Sequence, residues 1–277
     1  MIRKSNDYDK ANKMNRYTIF IDSIDSYSDI WPVFFDMFYR YWPDFEGTIF
    51  LNTETKTYKH DKFDIVCTEI GKFNDYGKRF RAGLDMTESD WVMYFPIDCI
   101  FMGQVETNKL DHYFNFFKEN DLDSFSLAYQ SYRELKQTDV KGVSLVIPPT
   151  SNMFSTQIAF WKKSTLYQLI LPHENPWSAE WFGTKRANKM KIKLACPSTK
   201  NDNPLIYDLH GCLGQGKWLS NAIEHLQKLN YQVDFEQRGY FSEPVLTIKY
   251  RLKQKWMLVC DGLRGSYWNL IKIKYIS

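Results

Sequence analysis

The sequence predicts an α/β protein, with a mostly parallel sheet, helices on both faces, and a single domain followed by a C-terminal extension. Three observations support this prediction. Short β-branched and aromatic runs alternate with helical patterns from Tyr17 onward. Hydrophobic residues make up 44% of the 277 residues, enough to fill a core. No internal repeat interrupts the pattern.

The predicted elements follow from local patterns. Residues 17–21 are typical of a buried strand, residues 22–26 form an acidic turn, and residues 31–41 favour an apolar helix. Further strands are expected at residues 48–51, 63–67, 91–95, 124–128, 142–147 and 158–161. Further helices are expected at residues 76–86, at 107–120, from a Ser164 cap through Leu171, from about Ala179, and at 219–229.

The two ends of the chain differ from the middle. Residues 1–16 hold almost no apolar side chain and predict a disordered leader, so the domain is expected to cover residues 17–230. Residues 231–277 form the extension, which includes a β-like run at 245–248. The chain has no apolar run of membrane-spanning length and no apolar leader, so neither a membrane span nor a secretory signal is predicted. Peripheral contact with a membrane stays open.

Composition limits the classes of partner. Lys and Arg exceed Asp and Glu by only 36 to 33, a surplus too small to indicate a nucleic-acid partner. The five cysteines include no C-x-x-C pair, which disfavours a disulfide framework or a zinc site and favours a reducing cytosol. Aromatic residues reach 17%, and such density serves either ordinary packing or the stacking of sugars and bases.

A phosphate-loop spacing occurs late in the chain. Residues 211–217 match G-x-x-x-x-G-K, but Trp218 stands where Ser or Thr should ligate magnesium, and no Val/Ile-rich strand precedes the motif. A nucleotide hydrolase dependent on Lys217 is therefore a minor alternative. A glycine-rich loop with one lysine can still hold a diphosphate, and Lys217 is kept as a candidate for that contact.

Polar residues gather after the strands of the predicted sheet. Asp98 follows an apolar strand, Asp22 and Asp25 end the first strand, and Asn74 and Arg79 open the helix before Asp98. The carboxyl ends of parallel strands meet at one edge, where open α/β sheets bind ligands. Asp98 could equally be a loop carboxylate that caps a turn.

A divalent metal is the cofactor that this set of residues could hold. Asp98 with His210, which lies next to Asp208, would make an oxygen and imidazole site suited to Mn²⁺ or Mg²⁺. The other four histidines, His60, His112, His173 and His225, are interpreted as surface or packing residues.

A third candidate is Glu180. It lies between Trp177 and Trp181 near a predicted helix start, where a partly apolar environment would raise the pKa of the carboxyl towards that of a general base. The indoles could also stack on a sugar ring. Ordinary tryptophan packing and a helix-terminal glutamate explain the same segment equally well.

The order of these motifs resembles a family of GT-A-fold glycosyltransferases found in bacterial surface-polysaccharide clusters and in large viruses. The similarity covers roughly residues 17 to 229. Each motif alone is weak, and the resemblance depends on their order along the chain. The six motifs lie at residues 22–31, 41–44, 90–98, 157–161, 175–180 and 216–218.

The resemblance implies a nucleotide-sugar bound at the carboxyl edge, with a divalent metal held by an acidic motif. It places Asp22 and Asp25 at the nucleotide, Arg79 near the base or diphosphate, and Asp98 at the metal. Residues 96–98 stand where the family has an acidic pair, and Asp98 is their only carboxylate. Lys217 and Arg79 could therefore neutralise the diphosphate in place of a metal.

The preferred hypothesis is a glycosyltransferase in which Glu180 deprotonates a hydroxyl acceptor, a glycan or another alcohol, which attacks the anomeric carbon of the donor with inversion. Asn74 and Trp177 are expected to help bind the donor. The alternative from another class is a non-catalytic module that binds carbohydrate or nucleic acid through exposed aromatic residues.

Overall fold

The computed structural model describes residues 17–242, 255–256 and 258–265. The predicted leader 1–16 and the β-like run at 245–248 lie outside this part. Within it, no helix has both the length and the apolar character needed to cross a bilayer.

A nine-stranded sheet forms the centre of the described part. Its order is β3-β2-β1-β4-β8-β5-β9-β7-β6. Seven strands run in one direction, and only β7 and β8 oppose them, which confirms the mostly parallel sheet. The strands are β1 Thr18–Asp22, β2 Thr48–Leu51, β3 Asp64–Cys67, β4 Trp91–Pro96, β5 Ser124–Ser126, β6 Leu135–Gln137, β7 Val143–Val146, β8 Ala159–Lys162 and β9 Leu194–Pro197.

Helices cover both faces of the sheet, as predicted. On one face the core includes Ile19 and Ile21 of β1, and on the other it includes Phe20, because successive strand residues point to opposite faces. Helices α1, α3 and α6 belong to the first core and α2, α4 and α5 to the second. The helices are α1 Trp31–Tyr41, α2 Tyr76–Asp85, α3 Thr107–Glu119, α4 Lys163–Leu169, α5 Pro176–Met190 and α6 Ser220–Lys228.

Two predicted helix starts are wrong. Helix α5 begins at Pro176, not near Ala179, because Asn175 caps it and exchanges hydrogen bonds with Ser178 at the third helical position. Helix α4 begins at Lys163, with Lys162 as its N-cap, so Ser164 lies inside the helix. Proline at the first position of α5 suits a helix start, because its missing N–H would have no partner there.

Most of the aromatic residues pack the core. Its largest fully buried side chains are tryptophan, tyrosine and phenylalanine, with Phe38 stacked on Trp42 and in contact with Phe45, Phe63 and Phe101. The packing interpretation of the aromatic content is therefore correct for most of these residues. Trp177, Trp181 and Trp256 are exceptions, since more than half of each side chain is exposed.

The start of the predicted extension packs against the domain. Residues 231–242 include a 3-10 helix, Phe235–Gln237, and a bridge between Tyr240 and Trp218. Arg238 forms a two-pronged ion pair with Asp29, with Nε to Oδ2 at 2.6 Å and Nη2 to Oδ1 at 2.5 Å. Arg238, which lies in the predicted extension, thereby holds the loop that follows β1.

Candidate functional site

The candidate site is at the carboxyl edge of the parallel strands β2, β1 and β4. Asp22 ends β1, Asn52 directly follows β2, and Asp98 follows β4 by two residues. Tyr76 and Arg79 reach this edge from the first turn of α2. We call these five residues the edge cluster.

Asp22 is the most enclosed carboxylate of the edge cluster. Its side chain is 9% exposed, and its Oδ1 accepts hydrogen bonds from Asn52 Nδ2 and from Arg79 Nη2, both at 3.3 Å. Burial raises the pKa of Asp22, and the charge of Arg79 acts against that rise. The predicted proximity of Asp22 and Arg79 is confirmed. The two side chains form an ion pair with each other.

Asp98 adds a second buried carboxylate to the edge. Burial, with a smaller contribution from the negative charge of Asp22, raises the pKa of Asp98 to about 6. The backbone carbonyl of Asp98 accepts the N–H of Cys212 at 2.7 Å, which holds the 211–212 segment against it. Gly211 lies over the carboxylate so closely that a Cβ there would be 2.8 Å from Asp98 Oδ2.

Asp25, predicted at the nucleotide, is engaged with the protein itself. Its carboxylate accepts the backbone N–H groups of Glu54, Thr55 and Lys56 at 2.9 to 3.1 Å and the Thr55 hydroxyl at 2.7 Å. Burial raises the pKa of Asp25, but the four hydrogen bonds together outweigh it and the net pKa is lowered. In this arrangement Asp25 fixes the 54–56 loop beside the site.

The segment with phosphate-loop spacing is a β-hairpin. Leu213–Gly214 (β10) pairs antiparallel with Lys217–Trp218 (β11), and Gln215 and Gly216 form the turn with φ values of 51° and 82°. A phosphate loop needs a strand, a loop and then a helix that begins at the lysine. The hydrolase alternative is therefore wrong, and Lys217 is an exposed strand residue.

Glu180 lies in the second turn of α5 and is half-buried. Its Oε1 accepts the backbone N–H and the hydroxyl of Thr156, both at 2.6 Å. Burial, then the negative charge of Asp22, and to a smaller extent that of Glu180, raise the pKa of Tyr76 well above its usual range.

The two indoles do not enclose Glu180 in the way that the sequence suggested. Trp177 is 62% exposed and Trp181 is 53% exposed, because residues four apart share one face of a helix and this face is on the surface. An exposed indole remains suited to stacking on a sugar. Asn74 is also exposed and lies just before Asp75, the N-cap of α2.

The metal pair Asp98 and His210 stays a prediction. His210 is exposed, and its backbone N–H donates to Asp208 Oδ1 at 2.8 Å. Across residues 17–242, 255–256 and 258–265, no group of three or more His, Cys, Asp or Glu side chains could enclose a metal. An all-protein metal cage therefore does not fit these residues.

Two clefts lie outside the edge cluster. One, of about 600 Å³, is lined by Tyr207, Asp208, His210, Asn221 and His225, and so begins beside the segment that covers Asp98. The other, of about 660 Å³, is at the opposite end of β4 and is lined by Glu88, Trp91 and Lys163 among others.

Sequence reasoning missed several residues of this region. Asn52 carried a usable signal, since it is a polar residue directly after a predicted strand. Tyr76 opens the predicted helix three residues before Arg79, a spacing that places both side chains on one helix face, and it makes a cation–π contact with Arg79 at 5.3 Å from ring centroid to guanidinium. Arg238 lies about 210 residues from Asp29, and no local pattern links the two.

No protein-family model matches this sequence, and no curated protein matches it. Among solved structures, S. aureus TarS 1-349 is similar with a TM-score of 0.46 and 12% identity, over 69% of this chain and 59% of that one. The same protein in complex with UDP-GlcNAc gives a TM-score of 0.47 and 13% identity, over 80% and 69%.

A cytidylyltransferase from Francisella tularensis, IspD, is similar with a TM-score of 0.39 and 13% identity, over 67% of this chain and 92% of that one. This chain covers 59% of the length of S. aureus TarS 1-349. Similarities of this size leave the substrate and the reaction to be inferred from the chain's own residues.

Proposed function

We propose that this protein is a glycosyltransferase that moves a sugar from a nucleotide-sugar donor to a hydroxyl acceptor. The observation that carries the proposal is the edge cluster: two buried carboxylates, Asp22 and Asp98, with Arg79, at the carboxyl edge of parallel strands. Ligands of open α/β sheets bind at this edge. The order of sequence motifs that resembles GT-A glycosyltransferases supports the same function.

Donor binding is assigned to the edge cluster and to the exposed groups near it in the sequence. Asp22 and Asn52 offer hydrogen-bond acceptors and donors to the nucleoside. Arg79, which pairs with Asp22 at 3.3 Å, supplies a positive charge. Asn74 and Lys217 are exposed groups proposed to bind the diphosphate, and Trp177 is proposed to stack on the sugar. Asp25 acts indirectly, through the loop that it holds.

A divalent cation fits this site only with the donor's help. Mg²⁺ is commonly bound by one or two carboxylates together with substrate phosphates, and Asp98 is the hard oxygen donor proposed for that mode. Such an ion would neutralise the charge of the leaving diphosphate. His210, which is exposed, is proposed as the second protein ligand.

Glu180 is proposed as the general base. The acceptor oxygen attacks the anomeric carbon as its proton passes to the Glu180 carboxylate, and the bond between that carbon and the diphosphate oxygen breaks with its electron pair on the diphosphate. The products are the new glycoside and the nucleoside diphosphate. Hydrogen bonds from Thr156 to Oε1 hold the carboxylate and leave Oε2 for the acceptor.

The first experiment is a binding screen. Nucleoside diphosphates and nucleotide-sugars are tested by thermal shift and calorimetry with Mn²⁺, with Mg²⁺ and with EDTA, because a ligand of the folded state raises the melting temperature. We expect one nucleoside diphosphate to bind, and Asp98→Ala to abolish any gain from metal. No binding at millimolar concentration would contradict the proposal.

The second experiment tests catalysis. Glu180→Gln keeps an oxygen to accept from Thr156, so we expect an unchanged melting temperature and donor affinity with a kcat lower by about 10²- to 10⁴-fold. Glu88→Gln, a similar exchange at an exposed site at the opposite end of β4, is the matched control. A Glu180→Gln protein with more than about a third of the wild-type kcat would exclude this base, and Asp208 would be tested next. Sugar binding without any transfer would favour a non-catalytic module.

A further inference from the structure

The C-terminal helix, residues 255–256 and 258–265, is anchored to the domain on one side. Asp261 is 5% exposed, and its Oδ2 accepts a hydrogen bond from Asn175 Nδ2 at 2.6 Å, at the cap of α5. A side chain at Gly262 would meet the Phe182 ring at 3.5 Å, and one at Gly265 would meet His173 at 3.0 Å. These contacts fix which face of the helix points outward.

The outward face is apolar. Trp256 is 68% exposed, Val259 is 51% exposed and Leu263 is 66% exposed. Spacings of three and four residues place the three side chains in one stripe along the helix. Three apolar side chains along one helix face are costly to expose to water. This cost indicates a surface that a membrane or another molecule covers.

Positive charge surrounds this stripe. Lys255 and Arg264 are both exposed, near the two ends of the helix, and Arg264 Nη1 also lies 3.8 Å from Asp75 Oδ1 and 3.9 Å from Asp261 Oδ1. The acidic Asp261 is turned inward. In the sequence, residues 243–277 hold seven lysines and arginines against Glu243 and Asp261, a surplus of five in a chain whose total surplus is three. Residues 1–16 hold a further surplus of three, so residues 17–242 are acidic and the positive charge lies at the two ends of the sequence.

We propose that the C-terminal helix binds the surface of an anionic lipid membrane, with Trp256, Val259 and Leu263 inserted at the interface. Helices that lie in a membrane interface combine an apolar stripe with flanking Lys and Arg, and indoles favour the headgroup level. Anionic lipids attract basic segments, whereas a second copy of the same basic segment would repel it. The positive charge therefore favours an anionic bilayer over a second copy of the chain as the partner of this helix face. The proposal does not depend on the reaction proposed above.

The test uses flotation of the full chain with vesicles of phosphatidylcholine alone, or with about one third phosphatidylglycerol, at low and high salt. We expect binding to the anionic vesicles only, weakened by salt. The double variant Trp256→Ser/Leu263→Ser should lower partitioning at least about tenfold. Because both side chains are exposed, its melting temperature should stay unchanged. The matched control is Tyr132→Ser/Ile206→Ser, which removes two apolar residues that are 52% and 56% exposed elsewhere, and it should bind like wild type.

Three results would overturn the proposal. They are absence of binding to anionic vesicles, equal binding to neutral vesicles, and equal binding by the Trp256→Ser/Leu263→Ser variant. Sedimentation equilibrium adds a separate criterion. If the chain were a dimer that this double variant dissociates, a second copy would be the occupant and the membrane proposal would be wrong.

Discussion

Replacing Gly211 by alanine tests whether this glycine serves Asp98. Gly211 has φ of +76°, where a side chain costs about 1–2 kcal/mol, so the melting temperature should fall by about 2–8 °C. The new Cβ would also lie 2.8 Å from Asp98 Oδ2 and 3.2 Å from the Asp98 carbonyl oxygen. Relief of that contact requires the carboxylate to move by about half an ångström, and a shift of this size at a ligand group costs about tenfold in binding or rate.

Gly239→Ala is the matched control. Gly239 has a similar φ of +70°, and a Cβ there would have no atom within 4 Å. Calorimetry with the nucleoside diphosphate that binds, in the presence of Mn²⁺, compares the two variants. We expect similar losses of stability, and an affinity about tenfold lower for Gly211→Ala alone. Equal affinities in the two variants would refute the reasoning, because backbone strain would then be the only effect of the methyl group.

Three further predictions concern the carboxylates. Arg79→Gln leaves Asp22 buried without its cation and should lower the free energy of unfolding by about 3 kcal/mol in urea titrations, while Asp22→Asn in the same protein should restore most of it. Asp25→Asn should cost about 2–3 kcal/mol at pH 7. Since the pKa of Asp25 is lowered in the folded state, that difference should be full above pH 4 and shrink as the pH falls further; a constant difference down to pH 2.5 would contradict it. Asp98→Asn should stabilise the protein by about 2–3 kcal/mol above pH 6 in EDTA, because the pKa of Asp98 is raised to about 6 and its ionised form is penalised by burial. That gain should vanish as the pH falls from 6 to 4, and a gain that persists at pH 4 would show another cause.

Local patterns predicted the fold class and most element positions. The helix Trp31–Tyr41 and the strand Thr48–Leu51 have the bounds that the sequence predicted, because their burial patterns match the periods of a helix and a strand. The carboxyl-edge rule also placed Asp22 and Asp98 in one region. Short strands such as Leu135–Gln137 were missed, since three residues carry too little periodicity to distinguish a strand from a loop.

The sequence by itself determined an α/β sheet and a set of polar residues at its carboxyl edge. Only the tertiary structure decided what those residues contact: Asp25 hydrogen-bonds a loop about thirty residues away, Arg79 pairs with Asp22, and the 211–217 motif closes as a hairpin. It also decided that Trp177 is exposed and that Gly211 lies against Asp98. The physical reason is that periodicity and capping act over a few residues, whereas these contacts join segments that only the packed sheet brings together.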